Sequence, residues 1–171
     1  MTYKIIQDFI KLGSKCRPGK KNPKKWIVIH ETGNSSPKAG AKNHSNYIKN
    51  LAIQNKTYLS WHYSVDDKEI YQHIPDDEIS WNAGDGQKIG GGNMAGISIE
   101  ICVNSGSDFK EALNNAAYLT GYLLLKHNLD ISAVKQHFDF SGKNCPQKIR
   151  ESNLWNEFLK KCEYYKKAIK L

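Results

Sequence analysis

The run Trp26-Ile27-Val28-Ile29-His30 is continuous, apolar and largely β-branched, the pattern of a strand buried on both faces inside an α/β sheet. His30 stands at its C-terminal end. A second run, Gly96-Ile97-Ser98-Ile99-Glu100-Ile101-Cys102-Val103, alternates strictly: Ile97, Ile99, Ile101 and Val103 share a core face, and Ser98, Glu100 and Cys102 share the other. Trp61 to Asp66 and Glu69 to His73 read as two further strands joined by a tight polar turn. Helical signals alternate with these strands. Ser35-Ser36-Pro37 offers an N-cap and a first-turn proline for a helix over about 37–53. Asp108-Phe109-Lys110-Glu111 resembles a capping box opening a helix that runs to about His127. A last helix is predicted over about 150–167, with Leu154, Trp155, Phe158, Leu159 and Cys162 on its inward stripe. Strands alternating with helices imply an α/β fold with a mixed central β-sheet flanked by helices.

At 171 residues, with no internal repeat or low-complexity tract, the chain reads as a single domain over 1–171 with its core at about 24–160. No stretch approaches the roughly 18 apolar residues of a spanning helix, so membrane insertion is not expected. Lys4, Gln7 and Asp8 interrupt the opening apolar segment, and no export signal is expected there. The four cysteines are widely spaced in a chain long enough not to need stapling, which favours free or metal-bound thiols over disulfides. The net charge of +8 suits an anionic partner. Nucleic acid is disfavoured, because the basic residues are scattered and no zinc-finger, RNP or helix-turn-helix pattern accompanies them. The segment from Ile74 to Ala95, rich in Gly, Asp and Asn, is a long loop of the kind that is usually functional or mobile.

Among the six histidines, His30 is placed where side chains meet the pocket at the sheet edge. His137 and Cys145 are eight residues apart, with Ser141-Gly142 able to turn the chain back between them. Two imidazoles and one thiolate make a three-ligand zinc site whose fourth position stays open, the arrangement of catalytic zinc. Lys143, two residues before Cys145, would leave an extended segment on the same side and stabilise an oxyanion. Glu100, on the non-core face of its strand, suits a general base. Taken singly each has an ordinary reading: a hydrogen-bonded histidine, a small buried thiol, a solvated lysine, a carboxylate on the exposed face of an edge strand. His44, His73 and His127 lack comparable company.

Several ordered motifs then converge. Arg17-Pro18-Gly19, Ile27 to Asn34, Ser60-Trp61-His62-Tyr63-Ser64-Val65-Asp66, Trp81-Asn82-Ala83-Gly84, Gly96-Ile97-Ser98-Ile99-Glu100 and the segment from His137 to Pro146 occur together over about 130 residues. The chain resembles the zinc-dependent N-acetylmuramoyl-L-alanine amidases of the type-2 family, which includes phage endolysins, bacterial autolysins and the peptidoglycan recognition proteins. The resemblance implies a zinc site at the sheet edge with His30, His137 and Cys145 as ligands, Glu100 as catalytic base and Lys143 near the metal. Trp61 stands where some phage members have a catalytic tyrosine, so Glu100 must carry more of the proton transfer. Asn82 replaces the histidine of the Trp-His-Ala-Gly turn and is expected to hydrogen-bond substrate. Trp61 and Trp81 are expected to offer aromatic faces to it, and His62 to line the site.

The implied reaction is zinc-assisted hydrolysis of the amide between N-acetylmuramic acid and the L-alanine of the stem peptide. The implied partner is bacterial peptidoglycan, possession of the cysteine setting the chain apart from non-catalytic relatives. Anionic wall polymers attracted by the positive charge are a further expected partner, and a monomer is expected. The lack of an export signal fits an endolysin made in the host cytoplasm that reaches the wall through a membrane lesion; a separate wall-binding domain is not visible in the chain. The rival readings are a metal-free peptidoglycan-binding module, a basic nucleic-acid binder and another zinc hydrolase such as a deacetylase.

Overall fold

The computed structural model describes residues 4–170; Met1 to Tyr3, part of the segment read for an export signal, and Leu171 lie outside them. Six strands form one sheet in the order β1-β4-β3-β5-β2-β6: β1 Ile5–Gln7, β2 Trp26–Glu31, β3 Tyr63–Val65, β4 Ile70–Gln72, β5 Gly96–Ile101 and β6 Val134–Gln136. The sheet is mixed, as expected. β2 runs parallel to both β5 and β6, β3 runs parallel to β5, and the β3–β4 hairpin is antiparallel. The expected strands appear, β2 one residue longer than expected and the other three with shorter bounds. β1 lies outside the expected 24–160 core and pairs in parallel with β4.

Strand alternation sorts side chains onto two faces. Ile27, Ile29, Ile97, Ile99, Ile101, Tyr63, Val65 and Val134 point to a face covered by α3 (Phe109–Lys126) and α6 (Trp155–Ala168), where they pack with Leu119, Leu123, Phe158 and Cys162. Burying one such aliphatic side chain contributes about 1.5–3 kcal/mol. The two helices approach closely because Gly121 has no side chain: a Cβ there would lie 2.8 Å from the Cys162 carbonyl oxygen. The opposite face carries Val28, His30, Ser98, Glu100 and Ser64, in the register pairs Val28 with Ser98, His30 with Glu100, and Ser64 with Glu100. Over this face lies α1 (Ala41–Gln54), whose Ala41 packs with Tyr71 and Cys102.

Two local expectations are corrected, and the ordinary reading of Glu100 falls. The first helix starts at Ala41 rather than at 37, because its first turn is capped from a distance: Asp66 Oδ2 accepts from Ala41 N at 2.8 Å, and Gly40 leaves room for it. The predicted helix over 150–167 is two helices, α5 (Gln147–Glu151) and α6. Asn153 in the left-handed region (φ 55°) breaks them. Glu100 is on no edge strand, since β5 lies between β3 and β2.

The long loop after Ile74 contains α2 (Gly92–Ala95) and feeds β5 directly. A short α4 (Phe138–Ser141) follows β6. All four cysteines are free. Among the described residues no helix is long and apolar enough to cross a membrane.

Candidate active site

Parallel strands β2 and β6 end side by side, so the residues at and beyond their carboxyl ends meet at one edge of the sheet. His30 is the fifth residue of β2 and almost fully buried. His137 follows β6 directly, and its backbone N–H donates to the Ile29 carbonyl at 3.2 Å. The two rings face each other with their Nδ1 atoms 3.0 Å apart. The chain then passes through α4, reverses at Gly142 (φ 76°), and returns Cys145 to the same point. There the Glu31 backbone N–H donates to Cys145 Sγ at 3.4 Å. One donor atom from each of His30, His137 and Cys145 lies within 4.8 Å of the other two.

This returning loop is held from both sides. The Glu31 carboxylate accepts from the N–H groups of Lys148 and Ile149 at 2.8 and 2.9 Å, pinning the start of α5 to β2. Arg150 lies over the Phe138 ring at 3.7 Å and donates to Gln136 Oε1 and Asn144 Oδ1, both at 2.9 Å. Glu31 and Arg150 escaped the sequence reading, because nothing in their spacing tells that they brace a loop.

The electrostatics suit a cation. Burial, reinforced by each other's proximity and by Lys143, holds the His30 imidazole well below the usual histidine range. Burial and Lys143 lower His137 as well. Both rings are therefore neutral near pH 7, the form that coordinates metal. Burial pushes the Cys145 thiol up to about 12, so its thiolate needs a positive charge beside it. Two imidazoles and a thiol form a nitrogen and sulfur donor set of the kind zinc prefers, and three protein donors leave a coordination position open. The residues present fit zinc.

Glu100 lies beside this trio, its Oε1 3.9 Å from His30 Nδ1, with a side chain only 12% exposed. Burial raises its carboxyl to about 7, although the Asn82 hydrogen bond and the Lys143 charge work in the opposite direction. Oε1 accepts from Asn82 Nδ2 at 3.2 Å, while Oε2 has no partner. A carboxyl group near neutrality with a free oxygen can take up and return a proton. Lys143 is exposed and borders the same opening. Glu100 and Lys143 line a cleft of about 560 Å³ together with His44, Tyr47, Leu59 and Trp61.

The remaining sequence candidates fall differently. Trp61 forms part of the cleft wall, stacked on Tyr47, with its indole N–H donating to Ser64 Oγ at 2.8 Å. His62, expected to line the site, is instead wholly buried: its Nδ1 accepts from Ser98 N at 3.0 Å and its Nε2 donates to the Glu78 carbonyl at 2.8 Å. With both nitrogens spent on the protein, it has none for a ligand. Trp81 is half-buried against the edge of Tyr58 and lies outside the cleft lining. Asn82 turns its amide to Glu100. Tyr47 and His44 reach the cleft because one face of α1 looks into it.

The sequence and the fold both match those of known proteins. Residues 20–148 match the family model described as N-acetylmuramoyl-L-alanine amidase. The chain is 44% identical over 154 residues to the N-acetylmuramoyl-L-alanine amidase XlyA of Bacillus subtilis, covering 90% of this chain and 49% of that protein. To the amidase CwlH of the same organism it is 42% identical over 155 residues, covering 91% and 59%. It thus spans about half to three fifths of the length of these relatives. The solved catalytic domain of XlyA superimposes with a TM-score of 0.85 at 42% identity, covering 93% of this chain and 99% of that one.

Proposed function

Because the chain belongs to the N-acetylmuramoyl-L-alanine amidase family, we propose that it hydrolyses bacterial peptidoglycan at the amide between N-acetylmuramic acid and the L-alanine of the stem peptide. The observation that carries this reading is the convergence of His30, His137 and Cys145 beside a nearly buried carboxylate, Glu100, that lines an open cleft. His30, His137 and Cys145 would hold the zinc ion. Bound there, zinc supplies Lewis acidity toward a carbonyl group and toward water.

The chain's own groups supply the rest. Glu100 receives the proton of the attacking water at its unpartnered Oε2 and returns it to the leaving amine of L-alanine. Asn82 holds the other carboxylate oxygen and fixes the direction of the first. Lys143 brings a positive charge to the cleft mouth, where the carbonyl oxygen becomes negative. Tyr47 and Leu59, with the nearly buried Trp61 behind Tyr47, give the cleft an apolar surface for the glycan or peptide. The protein acts at the cell wall as a phage or prophage endolysin would, working as a monomer, and its +8 charge draws it to anionic wall polymers with a strength that falls as salt rises.

Mass spectrometry of purified peptidoglycan digested with and without a chelator tests the proposal. Stem peptides with a new free L-alanine amino terminus are expected, lost with chelator and restored by zinc. Free acetate with intact muramoyl-alanine bonds would make it a deacetylase. Binding of peptidoglycan without any product, by protein that carries no zinc, would make it a binding module.

A further inference from the structure

The turn Trp81 to Gly84 touches two parts of the proposed site at once. The Asn82 side chain donates to Glu100 Oε1 at 3.2 Å. One residue later, the Ala83 backbone faces the His137 ring. Gly84 then lies so close that a Cβ would sit 3.3 Å from His137 Nε2 and 3.0 Å from Ser141 Cβ. A single turn therefore faces both a candidate ligand and the candidate base, and its own position needs a cause.

That cause is a residue from another element. Asn93, in α2 and almost fully buried, accepts on Oδ1 from the N–H groups of both Asn82 and Ala83, at 2.9 and 2.7 Å. Its Nδ2 donates to the Gly86 carbonyl at 3.0 Å, so every polar atom of its side chain is spent on this loop. Its backbone is in turn fixed: Asp85 accepts from the N–H groups of Gly92 and Asn93 at 2.6 and 3.2 Å. Gly92 leaves space for Ala83 to pack, since a Cβ there would lie 2.5 Å from Ala83 Cβ. Because α2 runs straight into β5, the residue that shapes the turn and the carboxylate the turn grips stand on one continuous piece of chain.

We propose that Asn93 is a positioning residue for the amidase reaction: it holds the Trp81–Gly84 turn so that Ala83 orients the His137 ring and Asn82 orients the Glu100 carboxylate. The amide is suited to this work by chemistry. One oxygen accepts two backbone N–H groups while the nitrogen donates to a carbonyl, a combination that neither a carboxylate nor an apolar side chain offers. Groups that orient a metal-binding histidine from behind typically change metal affinity or activity by about 10–100-fold when removed. The inference rests on the reading of His137 as ligand and Glu100 as base.

The test is Asn93→Ala, Asn93→Asp and Gly84→Ala in the full chain, with zinc Kd measured by competition against a chromogenic chelator, kcat and KM on purified peptidoglycan, and thermal unfolding. Asn93→Ala is expected to weaken zinc binding by about 10–100-fold and to lower kcat while leaving KM unchanged. Asn93→Asp, which keeps the Oδ1 acceptor, recovers part of both losses. A residue that only supports the fold would lower the unfolding midpoint and leave zinc Kd and kcat of the folded protein as they were; that result overturns the proposal. If Asn93→Ala does not fold, Gly84→Ala presses a methyl group on the same contact, and wild-type zinc Kd and kcat in that variant overturn it equally. Wild-type protein that binds no zinc would instead refute the metal-site reading on which the inference stands.

Discussion

The Nδ1 atoms of His30 and His137 stand 3.0 Å apart although 107 residues separate them. Two ring nitrogens this close cannot both carry a proton, and burial keeps both rings neutral. Lone pairs so arranged, with the Cys145 sulfur beside them, are poised for a shared cation.

Cys145→Ser removes the sulfur donor while keeping the size of the side chain. The variant is expected to contain less zinc than the wild type after dialysis, and to lyse walls more slowly in proportion. Elemental analysis of the purified variant checks this; full metal content with full activity would remove Cys145 from the ligand set.

Lys143→Ala leaves the trio intact, because the lysine is exposed at the cleft and is not one of the three donors. Loss of one preorganised group for a developing oxyanion typically costs about 10²–10³-fold in turnover. Zinc content should stay at the wild-type level while kcat falls on this scale.

Glu100→Gln preserves shape and the acceptor that Asn82 grips, but cannot take a proton. General base catalysis typically contributes about 10²–10⁴-fold, so kcat is expected to fall by that factor with KM and zinc content little changed. Steady-state kinetics on the metallated variant would show whether the carboxylate is needed at all.

Away from the cleft, Asp76 sets an acid limit to stability. Its burial alone would raise the carboxyl, but hydrogen bonds from His127, Lys126 and Tyr63 at 2.9, 2.7 and 2.5 Å outweigh burial and hold it well below the ordinary value of 3.8. The folded state therefore holds this proton less tightly than the unfolded chain does. Stability from Asp76 is complete above pH 3.8 and is lost as pH falls below it toward the lower folded value. Asp76→Asn should destabilise the protein by about 1–3 kcal/mol at pH 7 and flatten the fall in stability at acid pH, as urea titrations at several pH values would reveal.

Legibility in the sequence followed the range of the interactions concerned. Strand β2 was readable as an unbroken apolar run, and β5 and α3 because six and eighteen consecutive residues repeat one period. β1 and β6 are three residues each and, unlike the equally short β3 and β4, no tight polar turn joins them to a neighbouring strand; each pairs with a strand remote in the chain. The start of α1 was misplaced because its cap, Asp66, lies 25 residues further along the chain. His62 was misread for a related reason: a histidine's surroundings decide whether its nitrogens are free, and Ser98 and Glu78 occupy both.

The amino-acid sequence by itself determined the α/β class, the family and the inventory of groups able to bind a metal or move a proton, since these depend on residue type and on periodicity within short windows. The tertiary structure alone decided which of those groups meet. Parallel pairing of β2 with β5 and β6 sets His30 beside Glu100 and His137, and Asn93 turns Asn82 toward the carboxylate. Such meetings are made by hydrogen bonds between segments remote in the chain, whose partners carry no mark of one another in their local sequence.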